Sequence, residues 1–289
     1  MEEKVFLNGS LVPKQKAKIS IEDRGLLYGD GVFETMRSYE GKVFRLDRHL
    51  KRLFDSLTLL RLPMPYQQKE IGEAIYGTLK ANQLHEAYIR LTVTRGEGGR
   101  GIDLPEKPSP TIIIVAKEFV PYPSHLYREG LRTGIAEIKQ ISSPLNQTKS
   151  LNFLHNILAR IEAKQRGLNE VILINSNGFV SEGTVSNIFM IKNGTLITPD
   201  KESGILSGIT RNTVIELAIH EGIGVEERKV NPSELMEADE VFLTNTLMEI
   251  MPVTEIERVK IGQGKPCPLT LKFMGWYRDL VRRELAIKS

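Results

Sequence analysis

The sequence predicts a mixed α+β protein of two domains. Segments typical of strands and of amphipathic helices both occur along the 289 residues, but they do not alternate regularly as in a doubly wound βαβ fold. Residues 118–130 contain two prolines and no apolar periodicity, which predicts a linker. We therefore expect an N-terminal α/β domain over residues 1–117 and a C-terminal α/β domain over residues 131–289.

Turn signals and apolar periodicity predict the elements of the first domain. Asn8-Gly9 lies between two short apolar runs, which is a strong signal for a tight hairpin turn. A long, polar, glycine-rich stretch lies between two later strand candidates and is expected to form a surface loop. The predicted elements are, in order, a hairpin over residues 4–13, a strand over VFETMRSY, a turn at Glu40-Gly41, helices over 46–60 and 69–82, and strands over 87–94 and 111–117.

The same signals predict the elements of the second domain. Apolar residues recur at helical spacing within residues 148–167, which indicates an amphipathic helix with Lys149 at its start. The other predicted elements are strands over 131–141, 170–175, 179–181, 187–192, 195–198, 225–229 and 240–244, and helices over 210–221, 231–237 and 267–285.

Composition excludes several classes of protein. The chain is 40% apolar and 26% charged, as is usual for a globular protein, and its net charge of +3 includes no basic block that would suggest nucleic acid as a partner. A single cysteine, Cys267, excludes an internal disulfide and fits a reducing compartment. No apolar run has the length of a signal peptide or membrane span, so we expect a cytoplasmic protein without membrane contact. The five histidines lack ligand spacing, and no metal site is predicted.

Two residues have the chemistry of a Schiff-base site. The start of a helix disfavours an ammonium group, so Lys149 there would be biased toward the neutral, nucleophilic amine. Glu182 follows a short strand, where a carboxylate can hold a protonated ring nitrogen. Each residue taken alone is better explained as an ordinary solvated side chain.

Three further stretches are suited to binding a phosphate. Gly208, Ile209 and Thr210 open a predicted helix, whose free N–H groups and dipole attract anions. Asn245 and Thr246 follow a predicted buried strand, and the Thr246 hydroxyl could reach a second phosphate oxygen.

Arg52, on a predicted helix, could supply a cation to the same phosphate. An amine, a carboxylate, a helix start and an arginine are together what pyridoxal phosphate requires.

From about residue 4 to residue 255, the chain resembles the class IV, or fold-type IV, pyridoxal-phosphate aminotransferases. This family includes branched-chain aminotransferases, D-amino acid aminotransferases and aminodeoxychorismate lyases. The resemblance is carried, in order, by DRGLLYGDGVFE, HLKRL, KSLNFL, EGTVSN, ILSGITR and TNTLMEIMPV.

The resemblance implies a role for each candidate. Lys149 would form the internal aldimine, and Glu182 would pair with the pyridine nitrogen. Leu206 would pack on the ring, and the phosphate would be held by Arg52, Ile209, Thr210 and Thr246. A homodimer is also implied, with the cofactor site at the domain interface and completed by the neighbouring subunit.

The motifs leave the substrate open among the subfamilies. Tyr28, Phe33, Tyr88 and Arg90 stand where the branched-chain pattern lines its substrate pocket, but Phe153 replaces the tyrosine of that pattern. Arg100, in RGEGGRG, could bind a carboxylate as in the D-amino acid enzymes. RGEGGRG and NTLMEIMPV also resemble the lyases. We expect a transaminase that acts on a branched-chain L-amino acid or a D-amino acid and a 2-oxo acid. The alternative is a lyase that releases 4-aminobenzoate and pyruvate.

Overall fold

The computed structural model describes residues 2–141 and 143–287. Met1, Ser142, Lys288 and Ser289 fall within the predicted domains and lie outside the described residues. The described chain divides into two compact units. The first comprises residues 2–120, Thr148–Asn152 and residues 284–287, and the second comprises residues 121–141, 143–147 and Phe153–Arg283.

The first unit is built on a six-stranded antiparallel sheet in the order β2-β1-β6-β5-β3-β4. Its strands are β1 (Lys4–Leu7), β2 (Ser10–Pro13), β3 (Gly31–Tyr39), β4 (Lys42–Val43), β5 (Ala87–Thr94) and β6 (Thr111–Glu118). Its helices are α1 (Arg24–Tyr28), α2 (Leu46–Leu59) and α3 (Gln68–Ala81). Alternate residues of β3 and β5, such as Val32, Met36, Ile89 and Leu91, face one core together with apolar residues of α2 and α3. The residue that follows each of these in sequence lies on the opposite face of the sheet.

The second unit is built on a nine-stranded mixed sheet in the order β12-β11-β10-β13-β14-β7-β8-β9, with β15 beside β14. Its strands are β7 (Leu131–Gln140), β8 (Glu170–Asn175), β9 (Val180–Gly183), β10 (Asn187–Lys192), β11 (Thr195–Pro199), β12 (Val225–Arg228), β13 (Glu240–Asn245), β14 (Glu249–Ile256) and β15 (Val259–Lys260). Its helices are α4 (Ser124–Glu129), α5 (Leu154–Gln165), α6 (Ile209–His220), α7 (Pro232–Met236) and α8 (Pro268–Leu285). Stacked Phe189 and Phe242, with ring centroids 5.0 Å apart, anchor the side of the sheet on which Phe273 of α8 packs.

Strand β14 was not predicted, although it lies between β13 and β7 in the sheet. Its sequence contains Pro252, which has no backbone N–H to donate to a neighbouring strand. A proline therefore argues against a central strand. The structure accommodates the proline because β7 begins opposite Val253, one residue later. Pro252 is paired only with Phe242 of β13.

Two short helices also differ from the prediction. Residues 118–130 were expected to be an aperiodic linker, but Ser124–Glu129 form α4, whose Leu126 and Tyr127 pack against the core of the second unit. The sequence EDRG, residues 22–25, is typical of a polar turn, but its last two residues begin α1, which is five residues long, capped by the side chain of Asp23 and ended by Gly29 at a φ of 67°. Helices this short contain too few residues to show a periodicity.

Helix α5 begins at Leu154, so the prediction that Lys149 starts this helix is wrong. The predicted apolar face is also not the face that packs within the unit. Fully buried Ala159 and Ala163 contact β7 and β8, whereas the larger apolar residues are exposed. The exposed residues, which we call the α5 stripe, are Leu154, Ile157, Leu158 and Ile161. No helix in the described part of the chain has the length and apolarity needed to cross a membrane.

Candidate active site

Lys149 lies in a short extended segment that pairs with the start of β3. The N–H of Phe33 donates to the carbonyl of Lys149 at 2.8 Å, and the N–H of Leu151 donates to the carbonyl of Gly31 at 3.0 Å. These bonds occupy backbone groups that a helix would need, which explains why α5 starts later. The pairing also places Lys149 in the first unit, whereas the predicted boundaries placed it in the C-terminal domain.

Two glycines of YGDG make room for this segment. A Cβ on Gly31 would lie 2.5 Å from the carbonyl oxygen of Val93 and 2.8 Å from the side chain of Leu151. Gly29 has a φ of 67°, and a Cβ there would lie 2.6 Å from the side-chain oxygen of Asn152. Glycine is therefore required at position 31, where a Cβ would clash with the main chain of β5, and favoured at position 29 by its positive φ; a side chain at either position would also crowd Leu151 or Asn152.

Three of the predicted substrate-binding residues share one face of the first sheet. Phe33 of β3 and Tyr88 and Arg90 of β5 alternate with core residues and so lie on the face opposite α2 and α3. The guanidinium of Arg90 lies 3.8 Å from the centroid of the Phe33 ring, and the Lys149 amine lies 4.7 Å from the same centroid. An amine, a second cation and an aromatic surface thus meet at Phe33.

On the other face of β3, a buried ion pair holds Arg52. Glu34 is 1% exposed, and its two oxygens accept hydrogen bonds of 2.7 Å from Nε and Nη2 of Arg52. His49 Nδ1 lies 2.8 Å from the same carboxylate. Burial alone would raise the pKa of Glu34, but the charge of Arg52 and the hydrogen bond from His49 lower it to about 2. The predicted phosphate ligand is therefore fixed in place by a bidentate carboxylate.

His49 is the neutral member of this cluster. Burial lowers the pKa of His49; the charges of Arg52 and Lys149 add to the shift, and Glu34 opposes it. Since the ionised Glu34 carboxylate can only accept, the hydrogen-bonded Nδ1 of His49 carries the proton.

The remaining predicted substrate residues, Tyr28 and Arg100, are exposed on α1 and on the loop between β5 and β6. Arg24 connects the two regions, because its guanidinium lies 5.0 Å from the Tyr28 ring centroid and donates to carbonyls of the loop. Asp30 bonds both Arg24 and Arg95. Burial opposes ionisation of Asp30, but the hydrogen bonds from Arg95 and Arg24 hold its pKa below the usual range.

In the second unit, Glu182 is held beside the loop that carries Leu206. One carboxylate oxygen of Glu182 accepts from the N–H of Leu206 at 3.0 Å and from the amide of Asn187 at 3.1 Å. The Asn187 amide also donates to the Leu206 carbonyl at 2.7 Å. Thr184 donates to the buried carboxylate of Glu170, which fixes the turn after Glu182. The structure therefore brings Glu182 and Leu206 together through Asn187.

The same loop leads into the helix start predicted to bind an anion. Gly208 is the N-cap of α6 and makes no side-chain capping bond, and Ile209 and Thr210 begin the helix. A Cβ on Gly208 would lie 2.1 Å from the Asn187 side-chain oxygen, so glycine is required for this close approach. These features fit a phosphate group at the first turn of α6.

Asn245 is the last residue of β13 and Thr246 follows it, near Asn187 at the start of β10, which pairs with Thr244. The side chain of Asn245 accepts from the N–H groups of Leu247 and Met248 at 2.9 and 2.8 Å. It therefore shapes the turn in which half-buried Thr246 lies.

Comparison with known proteins identifies the family. Residues 31–256 match the model of the amino-transferase class IV family. The chain belongs to this family. A protein of Methanocaldococcus jannaschii that is provisionally named a branched-chain-amino-acid aminotransferase is 42% identical over 99% of this chain and 98% of its own length. The D-alanine aminotransferase of Listeria monocytogenes is 36% identical over 97% of this chain and 96% of its own length.

Solved structures support the same assignment. The branched-chain amino acid aminotransferase of Escherichia coli superposes with a TM-score of 0.93 at 32% identity and covers 97% of this chain and 95% of that chain. The branched-chain amino acid aminotransferase of Thermobaculum terrenum was solved in its PLP-bound holo form and has a TM-score of 0.88 at 30% identity, covering 97% of this chain and 94% of that chain. The predicted family, the mixed α/β fold, the aminotransferase activity and the pyridoxal phosphate cofactor are thereby confirmed. Transamination is favoured over the lyase alternative.

The residues that hold the site residues in place were not predicted from the sequence. Glu34, His49 and Asn187 lie inside the recognised motifs, but no role was assigned to them. Glu34 carried a usable signal, because a carboxylate on the core-facing side of an alternating strand needs a buried cationic partner. Asn187 gave no comparable signal, because nothing in the local pattern predicts that its amide joins Glu182 to the Leu206 loop.

The Glu34 cluster makes stability depend on acid pH. The pKa of Glu34 is about 2 in the folded chain, below its ordinary 4.5, so the ionised carboxylate stabilises the fold above the ordinary value. This contribution, roughly 3 kcal/mol, is lost as the pH falls toward about 2. The free energy of unfolding is measured by urea denaturation from about pH 5 to 2. We expect it to fall less steeply with decreasing pH in Glu34→Gln than in the wild type. Asp55→Asn, at an exposed ion pair with Lys51, is the control and should keep the wild-type slope. Equal slopes for wild type and Glu34→Gln would contradict the assignment.

Proposed function

We propose that this aminotransferase moves the amino group of a branched-chain L-amino acid to a 2-oxo acid. The observation that carries the proposal is the meeting of Lys149, Arg90 and Phe33 within one unit. Arg90 can bind the substrate carboxylate, and the buried aromatic ring offers an apolar surface for an aliphatic side chain. The named branched-chain enzymes among the relatives support this choice.

In the proposed site, Lys149 would hold the cofactor covalently through its amine. When bound, pyridoxal phosphate supplies an electron-withdrawing ring that accommodates the charge left on the substrate's alpha carbon. The amine of Lys149 would also be placed to act as the base that removes the proton from the substrate's alpha carbon. Phe33 limits the positions open to the amine and excludes water from one side.

The other site residues bind and orient. Glu182 keeps a proton on the pyridine nitrogen and is itself held by Asn187 and the Leu206 N–H. Leu206 would pack on the ring. The phosphate would be held by the first turn of α6, at Gly208, Ile209 and Thr210, by Asn245 and Thr246, and by Arg52. Tyr28, Tyr88 and Arg100 complete the substrate pocket, with Arg100 as a further carboxylate ligand.

We also propose that the enzyme is a homodimer. The α5 stripe presents four large apolar side chains, each about half exposed or more, at helical spacing. A second exposed group, Ile21, Leu26, Leu27 and Ile102, lies on the first unit. Large apolar side chains grouped along one exposed helix face are uncommon in monomers and are suited to an interface with a second copy of the chain. We propose in addition that the enzyme is cytoplasmic, because a chain with a single cysteine fits a reducing compartment.

Lys149→Ala tests the central role. We expect loss of the cofactor's visible absorbance band and a fall in turnover by several orders of magnitude, because both require the amine. Lys164→Ala, an exposed lysine at the end of α5, is the matched control and should keep both. An unchanged band and rate in Lys149→Ala would refute the proposal.

A half-reaction screen tests the substrate. The pyridoxal form is mixed separately with L-leucine, D-alanine, L-glutamate and aminodeoxychorismate, and the change in cofactor absorbance is timed. We expect L-leucine to react at least about tenfold faster than D-alanine. The larger leucine side chain makes more apolar contact, and each additional methylene group in an apolar pocket raises the rate by about tenfold or more. A faster reaction with D-alanine would assign the D-amino acid class instead. Release of 4-aminobenzoate and pyruvate with slow transamination would establish the lyase.

Disruption of the α5 stripe tests the dimer. We expect Leu154→Ser/Leu158→Ser to shift sedimentation from dimer to monomer at micromolar concentration, because two buried leucines would be lost from each copy. Gln165→Ser, at the polar end of the same helix, should sediment as wild type. A wild-type protein that sediments as a monomer would disprove the proposal.

A further inference from the structure

The loop that carries Arg100 has little structure of its own. It joins β5 to β6 and contains Gly96, Gly98, Gly99 and Gly101, all with φ between 60° and 107°. Glycines at such angles permit the conformation but do not impose it, because glycine loses more conformational freedom on folding than other residues do. Another part of the chain must therefore hold the loop.

The guanidinium of Arg24 provides these contacts. Arg24 Nη1 donates to the carbonyls of Gly101 at 3.1 Å and Asp103 at 3.0 Å, with a longer contact of 3.3 Å to Gly98. Nη2 lies 3.3 Å from the carbonyl of Ile102. The backbone N–H of Arg24 donates to the carbonyl of Gly96 at 2.9 Å. The bonds to Gly98 and Gly101 fix the backbone on both sides of Arg100.

The fit between loop and side chain is close. Arg24 is only 4% exposed, and Nε is bonded to Asp30 at 2.9 Å, which sets the orientation of the guanidinium plane. A Cβ on Gly99 would lie 3.0 Å from Arg24 Nη1 and 2.1 Å from the carbonyl oxygen of Asp103. The glycines therefore allow the loop carbonyls to converge on one buried cation. Lysine could not replace it, because an ammonium lacks the planar spread of five N–H donors.

The two ends of the loop are held by a separate set of hydrogen bonds. Asp23 accepts from the hydroxyls of Thr94 and Thr111, at the end of β5 and the start of β6, at 2.8 and 2.7 Å. Because this clamp does not involve Arg24, replacing Arg24 should alter the interior of the loop and leave the flanking strands paired.

We propose that Arg24 is a positioning residue that folds loop 96–103 around its guanidinium and thereby presents Arg100 to the substrate carboxylate. This inference rests on the proposed function, in which Arg100 binds that carboxylate. Arg24 also lies against the ring of Tyr28, so one buried cation supports two residues of the proposed substrate pocket. Its action is on substrate recognition and not on cofactor binding.

Arg95 offers a matched control. It is 5% exposed and bonds the same Asp30, but its other donors go to the carbonyls of Leu60 and Arg61 outside the loop. We expect Arg24→Lys to raise KM for the amino acid by roughly tenfold or more, the effect of losing a charged hydrogen-bond array. The kcat and the cofactor affinity, measured by absorbance, should change by less than about twofold. Arg95→Lys should lower the melting temperature and leave KM near wild type. An equal rise in KM for both variants would show general destabilisation and overturn the proposal.

A double-variant cycle tests whether Arg24 acts through Arg100. Arg100→Ala should raise KM by itself, and adding Arg24→Lys should then raise KM by a smaller factor than it does in the wild-type background, because both changes remove the Arg100 interaction and only the support of Tyr28 is left to lose. Additive effects on KM would contradict the proposal.

Limited trypsin digestion separates failure of this inference from failure of the proposed function. Cleavage after Arg100 should be faster in Arg24→Lys than in wild type and Arg95→Lys, and Arg100→Ala identifies the fragment by removing the cleavage site. This readout requires no turnover. Equal cleavage rates would refute the anchoring role even in an active enzyme. Faster cleavage in an enzyme without transaminase activity would refute the proposed function alone.

Discussion

The backbone pairing between Lys149–Leu151 and the first residues of β3 is the constraint on which the proposed chemistry depends. It attaches a five-residue piece of the later sequence to the first unit and sets the lysine amine beside the ring of Phe33. Two glycines make that approach possible, since a Cβ on Gly29 or Gly31 would occupy the space of the paired segment. The YGDG motif is therefore explained by packing, although its distance in sequence from Lys149 conceals the connection.

Buried charge is the second organising feature of the first unit. Glu34 meets Arg52 and His49 on one side of β3, and Asp30 meets two arginines where β3 begins. An isolated buried charge is very unfavourable, and a buried pair compensates only when its hydrogen bonds are well formed. Both clusters have bidentate or shared hydrogen bonds of that kind. Their consequence is that cations which could otherwise move with their long side chains are held at fixed positions before any ligand arrives.

Local signals predicted most of the fold. Strands such as Ala87–Thr94, Glu170–Asn175 and Asn187–Lys192 have the bounds expected from their apolar patterns, because both faces of these strands are defined within a few residues. Strand β14 was missed because a proline is tolerated only through the register of its neighbours, which no local pattern records. The start of α5 was misplaced because pairing with β3, a long-range contact, competes with the helix for the same backbone groups.

The candidate site shows the same difference between local sequence signals and contacts made only in the fold. Residue types and motifs indicated the cofactor, since an amine, a carboxylate and a helix start are side-chain or local features. The residues that hold them are less apparent: the buried position of Glu34 indicates that it needs a cationic partner but does not say which, and the bonds of Asn187 are seen only in the folded chain. Substrate recognition is harder still, because the bonds from Arg24 to the Arg100 loop end on main-chain carbonyls. Every residue has such a carbonyl, so the loop's sequence permits this conformation through its glycines without specifying it. The motif that contains Arg24 lies more than 70 residues earlier, and its hydrogen bonds select the conformation of the loop.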